Sequence, residues 1–454
     1  MARDTVLPVQ VSRRQVGRFL ATIFALDVAF LITTAMIYSN VVTRTSWGGW
    51  GYVFREALDV GAENNLAPWY SAITFLIAAV VWVICYALEV RGRRSTRARL
   101  LSWGWLLLAV LFCFLSLDEE GSFHERLGAL PGVNRYDVLL IPGAAFGIVL
   151  LVFAWPRLRH SWLTLALPVF GVLAYLSHPL QERNEAILRR AGLYAATWHT
   201  PTLDVVMKEG PKLLGTLCFI AAGLMHARWL NRTQLPSMPG EQWLDFEIST
   251  SRRVITQVVG WIVGLMGLGF ILVQFIAVPT LPHGSEFTPR ELGSPPDWFA
   301  ASLMLVAAAL FLYGARGKTS GPGQLSPRTF YRLFSLYSVV LAIHHGGGHF
   351  LSSIVWHGSP RWQMATGVVL GLAALAVTAA GITQLPNQAL RLAVAAWGAL
   401  ATAAAVQPEP VASLLLFAGY GLVLIVVAPV ALVSPAGPVT TALAGASEAY
   451  KAVV

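Results

Sequence analysis

The sequence predicts an all-α, polytopic membrane protein of about twelve transmembrane helices, arranged as two parallel six-helix pseudo-repeats with both termini in the cytoplasm. Three observations carry this expectation. Of 454 residues, 56% are hydrophobic and only 12% charged, with a mean hydropathy of +0.62. That much apolar surface does not fit inside one water-soluble core, and lipid is its natural solvent. The apolar residues fall in runs of about 20, the length a helix needs to cross a hydrocarbon layer. Arg and Lys gather in alternate loops, which is the positive-inside pattern of a multi-pass chain.

Helices are expected near 17–39, 68–90, 98–117, 136–155, 161–178, 205–227, 254–278, 297–315, 329–350, 362–383, 388–406 and 410–433. The first follows Arg13 and Arg14, is long enough to span, and has no clear cleavage site, so it reads as a helix and not as a removable signal peptide. Arg91, Arg93, Arg94, Arg97 and Arg99 follow the second helix, Arg157 and Arg159 the fourth, Arg228, Arg232, Arg252 and Arg253 the sixth, and Arg316, Lys318, Arg328 and Arg332 the eighth. With twelve spans all of these fall on one side, the cytoplasm. The opposite loops hold most of the carboxylates and histidines, and segment 178–204 is long enough for a short helix on that surface. The expected divisions are a first half, 1–235, a cytoplasmic linker, 236–253, a second half, 254–433, and a tail, 434–454.

The net charge of +9 is spread over these loops, so it implies membrane orientation and not a nucleic-acid partner. The expected partners are the bilayer, a lipid or small-molecule substrate, and other membrane proteins. A composition rich in Ala, Arg, Gly and Val points to a bacterial plasma membrane. Cys85, Cys113 and Cys218 lie in apolar spans and read as packed thiols.

The two halves echo each other. ENNLAPWYS (63–71) precedes the second helix and ELGSPPDWFA (291–300) the eighth, so that Glu63 and Trp69 match Glu291 and Trp298 with one residue of slippage. LSLDEEGSFHE (115–125) closes the third helix and LAIHHGGGHF (341–350) the ninth. Six helices per unit is an even number, so a duplication would give two halves of the same orientation.

Those helix ends carry the candidate chemistry. Asp118, Glu119, Glu120, His124 and Glu125 follow directly on an apolar run, and ionisable groups at membrane depth are usually functional. On a helix Asp118 and Glu125 project within about 20° of each other. The ordinary alternative is a solvated helix end, although carboxylates there oppose the helix dipole. His344, His345 and His349 form the matching set; His345 and His349 are four apart and suit one metal ion, unless Gly346 to Gly348 break the helix. Glu209 lies in LDVVMKEGPKLLG (203–215), where Pro211 suits a first helical turn and Lys208 and Lys212 offer local ion pairs. Asp204, His178, Glu182 and His199 are weaker candidates. Asp27, alone in an apolar stretch, is expected to face other helices in protonated form, either as part of a proton path or, the preferred reading, as a structural hydrogen bond to a neighbouring helix.

ENNLAPWYS, LSLDEEGSFHE and KEGPKLLG (208–215) occur in an order that resembles a family of uncharacterised bacterial polytopic membrane proteins. The resemblance covers roughly helices two to six. It implies that Glu63, Asp118, Glu119, His124, Glu125 and Glu209 belong to one feature of that family, with Lys212 standing where the family tends to have another Glu.

The leading functional expectation is a membrane metalloprotein with an outward-facing carboxylate/histidine site. Asp118, Glu119, His124, Glu125, His344, His345 and His349 would hold a divalent zinc, iron or copper ion, and Glu63 and Glu209 would act as acid/base groups. It would act as an enzyme on a lipid or small molecule. The alternatives are a proton- or metal-ion-coupled transporter, against which the scarcity of polar residues at mid-membrane depth speaks, and a non-catalytic subunit of a larger membrane complex.

Overall fold

The computed structural model describes residues 13–39, 58–60, 66–92, 96–121, 143–191, 201–234, 295–314 and 327–346, together with positions 369, 372, 373 and 376. Within them the chain is helical, without strands. The helices are α1 (Arg13–Tyr38), α2 (Leu66–Gly92), α3 (Thr96–Gly121), α4 (Gly143–Leu158), α5 (Trp162–Arg190), α6 (Pro201–Gln234), α7 (Pro295–Gly314) and α8 (Pro327–Gly346). Three of them, α1, α2 and α6, contain stretches long and apolar enough to cross a membrane. The expected helices at 254–278, 388–406 and 410–433, nearly all of 362–383, the linker and the tail lie outside the described residues.

Two boundaries differ from expectation in ways that matter. Helix α5 does not stop near 178 and restart as a separate surface helix; it runs unbroken to Arg190. Its later turns carry Gln181, Arg183 and Asn184 in helix-compatible spacing with no Gly or Pro after Pro179 to stop them. Helix α6 begins at Pro201, well before the expected start, because Pro is suited to a first turn and cannot continue a preceding helix. Helix α4 contains a π-helical turn, Leu150–Ala154, just ahead of Pro156.

Helices α2 and α3 form a hairpin, as do α5 and α6 and again α7 and α8, and α6 packs along both α1 and α2. The core of this bundle is aromatic. Trp82 of α2 stacks on Trp105 of α3 with centroids 5.0 Å apart. Phe112, Phe146 and Phe219, from α3, α4 and α6, meet edge to face at 4.9–5.3 Å. Such offset and T-shaped pairs add about 0.5–1.5 kcal/mol each beyond area burial. Large apolar side chains such as Phe24, Ile32, Val110, Ile148, Leu173 and Leu336 point outward. Cys85 and Cys218 are buried free thiols, as expected, whereas Cys113 lies on the outside of the bundle.

Small residues set the closest crossings. A Cβ on Gly215 of α6 would come within 2.9 Å of the Gly171 carbonyl oxygen and 3.3 Å of Ala174 Cβ on α5. A Cβ on Gly223 would strike Val81 of α2 at 2.5 Å. The first obstacle is backbone, which cannot rotate away. Gly215→Val is therefore expected to cost about 1–3 kcal/mol through overpacking. Gly17→Ala, where a Cβ meets nothing within 4 Å, should be neutral or slightly stabilising. Thermal unfolding of both variants in detergent checks this; equal melting temperatures would contradict the close crossing.

Candidate functional site

The candidate site forms where the last turn of α3 meets α5 and α6. Helix α3 extends past Ser116 to Gly121, which places Asp118 and Glu119 on the helix and not in a loop. The Ser116 hydroxyl donates to the Ala72 carbonyl at 2.6 Å and pins this turn to α2. Asp118 is buried, and Glu119 is half-buried.

Helix α6 brings the other members. Because it starts at Pro201, Glu209 sits in its third turn, roughly 12 Å from the helix start at 1.5 Å per residue. Pro211 is accordingly interior and not in the first turn. An interior proline removes the N–H that would bond the carbonyl four residues earlier. That carbonyl is Met207, and the Gln181 side-chain amide of α5 donates to it at 3.1 Å. The extension of α5 thus repairs the break in α6, a familiar way of keeping a proline in an apolar helix.

Lys212 stands one turn beyond Glu209. Its ammonium donates to Glu119 Oε1 at 2.8 Å and is also bonded to Glu209 Oε2. His178 of α5 faces the other side of the same carboxylate, with Nδ1 3.8 Å from Glu209 Oε1. The Gly171–Gly215 crossing permits this approach, since two turns along α5 from Gly171 lead to His178. Tyr175, one turn earlier, lies within electrostatic reach of Asp118, Glu119 and Glu209. Among the described residues, Glu119 and Glu209 share the Lys212 ammonium, and the His178 imidazole lies beside Glu209. Beneath the cluster is an apolar cavity of about 10 Å³ bordered by Phe112, Leu115, Phe146, Tyr175 and Phe219. It has room for no more than one water.

Of the residues picked out by sequence, Asp118, Glu119 and Glu209 are in this region, and His178, a weaker candidate, joins them. Glu63, His124, Glu125 and His349 lie outside the described residues. The backbone of His344 and His345 belongs to the last turn of α8, two residues before its end at Gly346 and one before it, respectively. The local ion pair expected between Glu209 and Lys212 is present, and Lys212 also bonds Glu119 of α3, which the spacing within α6 could not reveal. Tyr175 gave no signal in an apolar run.

A second polar cluster, at the other end of the bundle, was not anticipated. Glu89 of α2 is buried, accepts from the Trp105 indole N–H, and pairs with Arg157 Nε at 3.2 Å. Arg157 also donates to the Phe153 carbonyl at 2.9 Å and lies 4.0 Å over the Phe153 ring. His226 is sealed between Trp105 and Trp229, with His160 stacked on Trp229 at 4.2 Å. The fully committed Glu89–Arg157 pair reads as a staple fastening α4 to α2 and α3.

The donor set at the first cluster can be tested against a metal ion. Two of its carboxylates already share the Lys212 ammonium, which occupies the place between them that a cation would take. Among the described residues no three His, Cys, Asp or Glu side chains converge as metal ligands. In the arrangement described, Glu119 and Glu209 are both engaged by the Lys212 ammonium, and His178 lies beside Glu209.

Residues 23–227 match the family described as Domain of unknown function (DUF8692). The matched segment runs from α1 into α6 and contains all three of the motifs at 63–71, 115–125 and 208–215, so the resemblance to an uncharacterised family holds for this part of the chain. No curated protein and no solved structure matches the sequence.

Removing Lys212 strands two carboxylates in a site with little water. Lys212→Met is expected to destabilise by about 3–5 kcal/mol, the usual cost of breaking a buried pair from one side. Adding Glu119→Gln and Glu209→Gln to it should recover most of that loss. A cycle of these variants by thermal denaturation measures the coupling; additive losses would mean that the contacts carry no mutual stabilisation.

Proposed function

We propose that this chain is a multi-pass protein of a bacterial plasma membrane that couples proton movement to transport of a small solute through the Glu119–Lys212–Glu209 cluster. The observation that carries this reading is one buried ammonium shared by carboxylates from two different helices. Such a cation has two neighbouring anions and one charge. Protonating Glu119 leaves the lysine wholly with Glu209 and releases the bond that ties α3 to α6, whereas protonating Glu209 leaves that bond in place. His178 offers Glu209 a proton donor and acceptor. Ionisable groups at this depth are costly and are generally retained for function.

The wider architecture belongs to the same proposal: about twelve spans, both termini cytoplasmic by the positive-inside distribution, and two six-helix halves related by an axis along the membrane normal. The two hairpins α2–α3 and α7–α8 support the duplication. Placing Trp298 on Trp69 aligns buried Ala72, Phe75, Ala78 and Ala79 with buried Ala301, Met304, Ala307 and Ala308. Placing the motif that starts at Leu341 on the one that starts at Leu115 aligns buried Leu108, Phe112, Leu115 and Ser116 with buried Phe334, Ser338, Leu341 and Ala342, and outward-facing Leu107 and Val110 with Leu333 and Leu336. The contacts between hairpins are reciprocal as well: α7 touches α3, and α8 touches α2. A two-fold axis exchanging α2 with α7 and α3 with α8 turns either contact into the other. In that register His344 and His345 take the positions of Asp118 and Glu119.

That equivalence also favours a second reading, the metalloenzyme, in which the two helix ends supply carboxylate and imidazole ligands to one zinc, iron or copper ion. It requires Lys212 to release at least one glutamate.

The test uses purified protein in liposomes with a trapped pH indicator, while panels of amino acids, sugars, organic cations and carboxylates are added outside. The expected result is a solute-dependent change of lumenal pH that is absent with Glu119→Gln and with Glu209→Gln. No solute-linked pH change, together with about one metal ion per chain that both variants lose, would replace the transporter by the metalloprotein.

A further inference from the structure

Asp27 was expected to be a structural hydrogen-bonding residue, and it does bond a neighbouring helix: Tyr70 of α2 reaches it. The geometry of that contact goes further. The Tyr70 hydroxyl oxygen lies 2.8 Å from Asp27 Oδ1 and 3.0 Å from the Ile23 carbonyl oxygen. A phenol has one hydrogen. With Asp27 ionised, both neighbours are pure acceptors that compete for one hydrogen, so the two short contacts share a single, divided bond. With Asp27 protonated on Oδ1, the carboxyl donates to Tyr70, Tyr70 donates to Ile23, and both contacts are bonds.

The rest of the surroundings favour the same form. Asp27 is 4% exposed, and its Oδ2 is buried without a hydrogen-bond partner. A carboxylate there would leave a charged oxygen with nothing to stabilise it, whereas the carbonyl oxygen of a neutral acid tolerates this far better. Helix α6, packed along α1, carries Lys208, Glu209 and Lys212; the last two are engaged with each other, and none of the three is paired with Asp27 among the described residues. Helix α2 presents Tyr70, whose ring also stacks on Phe30 at 4.9 Å. Arg18, on α1 itself, is more than two turns away.

We infer that Asp27 and Tyr70 form a proton-binding site on α1 and α2, loaded in the conformation described here and separate from the Lys212 cluster. Unloading breaks the Oδ1–H bond, passes the proton to water that reaches the carboxyl, and leaves the electron pair on the carboxylate. The orphan Oδ2 is the atom that entering water would solvate. The Tyr70 hydroxyl then turns its hydrogen from Ile23 to Asp27, so α2 senses the change.

This inference does not depend on transport, and its test does not either. Infrared spectra of the full-length protein in lipid are recorded in heavy water across a titration from mildly acidic to strongly alkaline buffer. The expected result is a protonated-carboxyl carbonyl band at neutral pH that is missing in Asp27→Asn, moves to higher frequency in Tyr70→Phe, and disappears at alkaline pH as a carboxylate band grows. If Asp27→Asn does not fold, the Tyr70→Phe spectrum decides alone: a shifted band sustains the assignment, and an unchanged one overturns it. A wild-type band identical to that of Asp27→Asn would mean that Asp27 is ionised. A band that is lost in Asp27→Asn but never titrates would mean a fixed structural hydrogen bond and no proton site.

Discussion

A charged amine inside an apolar bundle has to be surrounded by anions, because little water is present to solvate it. Lys212 imposes that requirement on this protein. It draws Glu119 from α3 and Glu209 from its own helix to one point. To bring them together, α3 has to continue beyond its aliphatic run, and α6 has to begin early enough to place both residues within it. The carboxylates in turn need the lysine. Removing the lysine would leave Glu119 and Glu209 buried without the cation that they share.

The backbone around this point is arranged to permit it. Pro211 falls between Glu209 and Lys212 and opens the hydrogen-bond ladder of α6; Gln181 closes it again from α5. The same helix supplies His178 to Glu209. Both contributions need α5 and α6 to run close together, and the Gly171–Gly215 crossing sets that distance. Glycine at this crossing therefore has a functional consequence: a side chain there would push His178 and Gln181 away from the cluster.

The two ends of the bundle use polar groups differently. At one end Glu89, Trp105 and Arg157 satisfy one another and join three helices. At the other, the Lys212 ammonium is shared between two carboxylates, and Glu209 has a histidine near its second oxygen. A fully committed pair resists change, whereas a shared one has alternative arrangements of similar energy.

Sequence by itself determined the helical class and the approximate positions of α1, α2, α3 and α7, and it singled out Asp118, Glu119 and Glu209 as candidates. Apolar length and the cost of burying charge are local properties, readable one segment at a time. The echo between 115–125 and 341–350 was legible for the same reason, as a polar cluster following an aliphatic run. Only the tertiary structure decided the partners. Lys212 looked like a flaw in an acidic motif until Glu119, 93 positions away, was placed beside it. His178 and Tyr70 acquired roles only when α5 met α6 and α2 met α1. Pro211 looked like a helix start until a glutamine from another helix was found to carry its lost hydrogen bond. Pairing across helices depends on crossing points fixed by small residues and on the rotation of each helix about its axis, and neither is written in the spacing of any single segment.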